Sequence, residues 1–204
     1  MPKIVNREKK RSEIAQKAIE VLAKRGFKAT TIQEIANAAG LGKGTIYYYF
    51  KTKEEILWAV SEQMFREAER SLGAALLRIN EPMDKLAALI EESLHITEDL
   101  EHLFIIYSEL WLMTVRGEYT GDFTNMLKRM QNDMKNLVAG MINEGKNQGF
   151  WQNDIDIDAL ASYLASSFDG VFAHYMIDKE NFEIKRVTKE FIKFLLKQSA
   201  SKND

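Results

Sequence analysis

Residues 31–50 read Thr31-Ile32-Gln33-Glu34-Ile35-Ala36-Asn37-Ala38-Ala39-Gly40-Leu41-Gly42-Lys43-Gly44-Thr45-Ile46-Tyr47-Tyr48-Tyr49-Phe50, and the spacing inside this stretch decides the fold. Thr31 and Glu34 form a capping-box pattern: the hydroxyl meets an orphan N–H of a first helical turn and the carboxylate reaches back. Ala36 supplies the small side chain that two steeply crossing helices need where they touch. Gly40 supplies a turn backbone that accepts positive φ. Ile46 anchors the second helix against the first, and Ile35, Ala39 and Leu41 fill the remaining inward positions. The pattern predicts a helix-turn-helix whose second helix, about Lys43–Tyr49, enters the DNA major groove.

The outer face of that second helix follows from its inner one. With Ile46 and Phe50 pointing in and Tyr49 at their edge, the helical period turns Gly44, Tyr47, Tyr48 and Lys51 outward. Lys43 and Thr45 flank its N-terminus. Paired exposed tyrosines are a poor choice for a merely solvated helix. Against DNA, the rings pack on sugars and thymine methyls while the hydroxyls bond phosphates. Gly44 lets the backbones come close, and Lys43 is placed for a guanine edge or a phosphate.

Charge supports the same assignment. The chain has 204 residues and a formal net charge of −2. Residues 1–53 hold 12 Lys/Arg against 4 Asp/Glu, a net of +8, and residues 54–204 carry −10. A basic head on an acidic body points to a polyanion partner for the head. Lys3, Arg7, Lys9, Lys10 and Arg11 form a positive run before the motif, suited to phosphate contact or to plain solvation.

Outside this region apolar residues recur at helical spacing almost throughout, so the expected fold is all-α with about nine helices. The first is expected from Arg7 to Arg25, stopped by Gly26. A fourth follows Thr52-Lys53-Glu54-Glu55 and continues to about Ile79. Pro82 opens a fifth, expected to reach Asp99, and the sixth covers about Leu103–Val115. Three more are expected near 122–148, 157–176 and 183–198. The expected division is a DNA-binding domain over 1–52 and a ligand-binding and dimerisation domain over 53–204.

Extended to Thr30 and on through Lys51-Thr52-Lys53-Glu54-Glu55-Ile56-Leu57, the quoted stretch resembles the signature of the TetR family of bacterial repressors, across about residues 8–60. The resemblance implies a three-helix DNA-binding domain and a ligand-responsive repressor that binds a palindromic operator as a homodimer. It implies that Gln33 reads a base, with a preference different from that of an arginine there, and that Thr31 is a phosphate-contacting cap. It places Lys43, Thr45, Tyr47, Tyr48 and Tyr49 among recognition-helix contacts, and Lys53 at a helix N-terminus that holds a phosphate. It also implies a dimer through a four-helix bundle of the last two long helices, each of which carries two apolar sides.

The acidic body is too apolar for a spacer. Candidate lining for an effector chamber is Met64, Leu94, Phe104, Tyr107 and Trp111, with Phe123, Met130, Met134, Phe168 and Phe172 further along. This Met- and aromatic-rich set suits a small apolar or aromatic effector. Glu109 stands out as a carboxylate in the most apolar helix. It requires a partner, either a cationic or hydroxylated ligand or an internal Arg, Tyr or backbone group.

The remaining composition narrows the function classes. With no cysteine, disulfides, thiolate metal sites and cysteine nucleophiles are excluded. No nucleophile–base pair, phosphate loop or cofactor motif appears, so no enzyme activity, cofactor or metal is expected. Glu91, His95, Glu98 and His102 would share one face if their helix were continuous, which leaves a metal sensor as a minor alternative. A sequence-tolerant architectural DNA-binding protein without an effector is another. No segment approaches the roughly 18 apolar residues of a membrane span and no signal core opens the chain, so a cytoplasmic protein with no membrane partner is expected.

Overall fold

A computed structural model of the chain describes residues 7–118, 122–151 and 154–200. Among them the regular structure is entirely helical, in nine elements: α1 (Arg7–Ala29), α2 (Ile32–Ala38), α3 (Lys43–Tyr49), α4 (Lys53–Leu76), α5 (Pro82–Ser93), α6 (Glu98–Val115), α7 (Asp122–Asn147), α8 (Ile157–Ile177) and α9 (Ile184–Ala200). The all-α expectation of about nine helices therefore holds. Among the described residues no helix is long and apolar enough to cross a membrane.

The chain forms two compact units, residues 1–69 with 97–124, and residues 70–96 with 125–204. In the first, α1 packs on α2, α3 and α6, and α2 packs on α3. The α1 stripe Ile14, Ala15, Ala18, Ile19 and Leu22 is buried, and it repeats at the spacing of one helix face. Its two alanines let neighbouring backbones approach. Ile35 and Ala36 of α2, Ile46 of α3, and Ile106 and Leu110 of α6 are also buried. Each large apolar side chain so placed contributes about 1.5–3 kcal/mol.

Gly26 does interrupt α1, with φ 74° and ψ 161°, but the helical run resumes to Ala29. The capping box forms as the sequence predicts: Thr31 Oγ1 accepts from the Glu34 N–H, and Glu34 Oε2 accepts from the Thr31 N–H at 2.8 Å. At the other end of α2, Gly40 takes φ 64°. Its N–H reaches Asn37 O and the Leu41 N–H reaches Ala36 O, a Schellman closure that satisfies two orphan carbonyls.

The second unit holds α5, α8, α9 and most of α7, with α9 packed on α5 and α8. Leu86, Leu89 and Ile90 are buried, as are Val138, Ile142, Leu164 and Ile192.

Several boundaries depart from expectation. The fifth helix stops at Ser93 rather than reaching Asp99, and α6 begins at Glu98 rather than Leu103. Leu94 leaves helical geometry at φ −115°. Thr97 then caps the new helix, its Oγ1 accepting from the Leu100 N–H at 3.1 Å. Glu98, Asp99 and Glu101 in the first turn favour a helix start there, where the macrodipole is positive. α4 likewise ends at Leu76, short of Ile79.

Candidate nucleic-acid interface

Helix α3 is seven residues long, too short to persist alone, since isolated helices below about 12–15 residues are marginal. It is held by its surroundings: Ile46 and Phe50 are fully buried. The rest of the element faces out. Tyr47 is 43% and Tyr48 66% exposed, and Lys43, Gly44, Thr45 and Lys51 are exposed as well. Tyr49 is half-buried, its ring edge-on to Tyr48 with centroids 5.0 Å apart. The Lys43 ammonium lies 5.9 Å from the Tyr47 ring centroid. Apart from its chain neighbours and its own helix's backbone, no atom of the described residues lies within 4 Å of where a Cβ on Gly44 would sit, so that side of α3 is open to another backbone. The face combines two aromatic hydroxyls, a hydroxyl, two cations and a bare backbone stretch, the chemistry that sugars, phosphates and base edges require.

The other sequence candidates occupy different positions. Gln33 is exposed on α2, with its side-chain amide tied to Asn37 Oδ1 at 2.8 Å. Thr31 serves its own helix as cap while remaining exposed. The Glu34 carboxyl that completes the box is held below its ordinary range. The Thr31 backbone N–H has the largest effect, then the Thr31 hydroxyl; desolvation opposes them, and the Arg25 cation adds the smallest pull downward.

Lys53, which the resemblance places at a phosphate-holding helix N-terminus, turns inward in this structure. Its ammonium donates inward to Phe27 O at 2.6 Å and Thr30 O at 2.8 Å, and lies 4.4 Å from the Phe27 ring centroid. These are carbonyls at the end of α1, where a helix presents partial negative charge. Arg11, read from sequence as part of a basic run, also turns inward. It donates to Tyr49 O, the last residue of α3.

Of the effector candidates, Met64, Phe104, Tyr107, Glu109 and Trp111 belong to the first unit. Met64 is buried, and Tyr107 meets Phe65 edge-on at 6.2 Å. Trp111 is 49% exposed. Leu94, Met130, Met134, Phe168 and Phe172 belong to the second unit, with Leu94, Phe168 and Phe172 buried and the two methionines half-buried. The side chain of Phe123 lies outside the described residues.

Glu109 has an internal partner. Its Oε2 accepts from the Phe27 backbone N–H at 2.6 Å, one of the internal partners that the sequence allows for this carboxylate. The Glu91–His102 constellation loses its geometry because the helix breaks at Leu94. His102 lies 3.9 Å from Glu98 one turn away, and no group of three or more metal-ligating side chains forms among the described residues.

Sequence reasoning missed two contacts, Arg11 on α3 and Lys53 on α1, and for Glu109 it left the partner open. The local signal for the last was Gly26. A glycine before an aromatic at a helix end leaves room for a group arriving from elsewhere in the chain.

Comparison with known proteins gives a consistent picture. The chain is 26% identical over 161 residues to the HTH-type transcriptional repressor KstR2 of Mycolicibacterium smegmatis, covering 76% of this chain and 74% of that protein. Its fold matches a putative transcriptional regulator from Saccharomonospora viridis in complex with choline. That match has a TM-score of 0.81 and 23% identity, over 91% of this chain and 94% of that one. It also matches FadR from Bacillus subtilis in complex with stearoyl-CoA, with a TM-score of 0.74 and 22% identity over 91% and 97%. The model of the YsiA-like protein C-terminal region matches residues 61–198. That of the bacterial regulatory proteins of the tetR family matches residues 14–60. Together the two span most of the chain, which belongs to the tetR family of bacterial regulatory proteins, the ligand-responsive transcriptional regulators.

Proposed function

We propose that the protein is a repressor that binds a palindromic operator as a homodimer through α3 and is released by a small effector with a large apolar part. The observation that carries this reading is the division of α3: Ile46 and Phe50 are buried while Tyr47 and Tyr48 stand in solvent. Residues 1–52 act as the reading head and residues 53–204 as the effector-binding and dimerising part. Tyr47, Tyr48, Lys43, Thr45 and Lys51 contact the operator, with Gly44 admitting the DNA backbone and Gln33 adding a base contact from α2.

Dimerisation has surface to use. Tyr163 on α8 and Phe194 on α9 are 71% and 57% exposed, and Val187 is exposed beside them in the sequence pattern of α9. Aromatic and branched side chains in that state favour burial against a second copy. Two heads on a two-fold axis then read half-sites about one helical turn apart, or a multiple of it.

The Met and aromatic candidates support this effector class, and the stearoyl-CoA and choline complexes of the similarly folded regulators suggest the probes. A long acyl thioester is the first probe and choline the second. Release follows if the effector prefers the conformation that does not bind DNA.

The test is a gel shift with the DNA flanking the protein's own gene, with and without acyl-CoA. A complex that resists random competitor and dissociates on adding acyl-CoA is expected. Tyr48→Ala should weaken it about fivefold or more, since a lost base-edge contact costs about 1–3 kcal/mol. Failure to find any specific complex at low salt would overturn the reading.

A further inference from the structure

Arg11 sits in the positive run ahead of the helix-turn-helix, where a cation is the natural phosphate contact. Its surroundings give it other work. The guanidinium donates to Tyr49 O at the C-terminal end of α3. It lies 4.1 Å from the centroid of the Phe50 ring, and the Phe50 side chain is fully buried. Glu55 of α4 approaches it at 3.9 Å, and the same Glu55 oxygen accepts from the Lys51 N–H at 2.9 Å. An acceptor, an aromatic face and a counterion therefore fix one planar group from three directions, and its side chain is only 24% exposed. Arginine suits this arrangement because its fork is rigid and its plane stacks on rings, neither of which lysine offers.

We propose that Arg11 is a positioning residue that sets the pose of the recognition helix, and not a phosphate contact. The proposal rests on α3 being the operator-reading element. α3 has few other restraints: its N-cap, Gly42, supplies no side-chain bond, and one residue of the element is buried. Ile46 and the Phe50 ring just beyond the helix seat α3 on one side. Arg11 stacks on that ring and ties this end of α3 to α1, and through Glu55 to the first turn of α4. With that tie the outward angle of Tyr47 and Tyr48 is defined before DNA arrives, so less ordering accompanies binding. Without it, α3 samples rotations in which the tyrosines miss their base steps.

The experiment compares operator and random-DNA affinity across salt for the full-length wild type, Arg11→Lys, Arg11→Met and Tyr48→Ala. For a positioning residue, both Arg11 variants lose about tenfold or more on the operator and keep low-salt random-DNA affinity within about twofold. The slope of log affinity against log salt stays at the wild-type value. For a phosphate contact, Arg11→Lys recovers near wild-type affinity. Arg11→Met then flattens the slope by about 0.9 per head, the contribution of one neutralised phosphate. Either of those results overturns the proposal.

Arg11→Lys keeps the charge and stem, so it provides a folded variant if Arg11→Met does not fold. On the free protein, hydrogen exchange over residues 43–50 should quicken in Arg11→Lys, and unchanged exchange counts against the tie. If Tyr48→Ala leaves operator binding unaltered while the Arg11 variants lose it, α3 is not the reader and the proposal falls with that premise.

Discussion

Replacing Gly26 by alanine tests how α6 grips the end of α1. Gly26 has φ 74° and ψ 161°, a region that L residues enter at a cost of about 1–3 kcal/mol. An added Cβ would also lie 2.6 Å from Glu109 Oε1. The carboxylate is the free end of a flexible side chain, so it can swing aside, but it then gives up the Phe27 N–H. A hydrogen bond to a charged group is worth about 1.5–3 kcal/mol. Gly26→Ala should therefore cost about 2.5–6 kcal/mol, and Glu109→Ala the hydrogen-bond part alone. At about 2–4 °C per kcal/mol for a chain of this size, the glycine variant should melt about 5–24 °C lower. The decisive measurement is the double variant. Gly26→Ala has already displaced the carboxylate, so removing Glu109 adds little, and the double loss should fall short of the summed single losses by about 1.5–3 kcal/mol. Urea denaturation of the four proteins gives the cycle. Additive losses, or a neutral Gly26→Ala, would show that Glu109 does not sit over Gly26 in solution.

Other consequences can be checked with the same tools. Thr31→Ala removes the cap of α2 and should lower stability by about 1 kcal/mol in urea melts. The Glu34 carboxyl is held below its ordinary range in the folded protein, so its contribution is full above the ordinary carboxylate pKa and fades as pH falls through the lowered folded value. The stability gap between wild type and Glu34→Gln should accordingly narrow on going from about pH 6 to about pH 3, and a gap that widens refutes the sign. Lys53→Met strips the ammonium from the carbonyls of Phe27 and Thr30 and should cost about 1–3 kcal/mol; an unchanged urea midpoint would return Lys53 to a solvent- or phosphate-facing role. Gly44→Ala should stabilise the fold by about 0.5–1 kcal/mol, since nothing in the protein obstructs the new methyl, while weakening operator binding in a gel shift.

The helix-turn-helix was legible from sequence because its determinants are local. The Thr31–Glu34 box, the Gly40 turn and the Ile46 anchor each act within a few residues, and their geometry forms as the spacing predicts. The break between α5 and α6 was hidden by an apolar period that continues through Leu94 and Ile96. The capping pattern Thr97-Glu98-Asp99 competed with that period and prevailed. The inward roles of Arg11 and Lys53 were not legible, and for Glu109 the sequence called for a partner without saying which. Their partners lie 38, 26 and 82 residues away in the chain, and a cation written in a basic stretch carries no mark of whether it faces water or a helix end.

The architecture of α3 also bears on how such a protein changes its target over generations. A single side chain of the element, Ile46, belongs to the interior, and the restraints on its end come from backbone carbonyl and neighbouring helices. With α3 as the proposed reader, mutations at positions 43, 44, 45, 47 and 48 therefore alter the face offered to DNA with little penalty in folding. Operator preference can drift, or be selected in a library randomised at those five positions, while the rest of the molecule stays intact. Substitution at Ile46 or Phe50 closes that route, because it unseats the helix on which every variant depends.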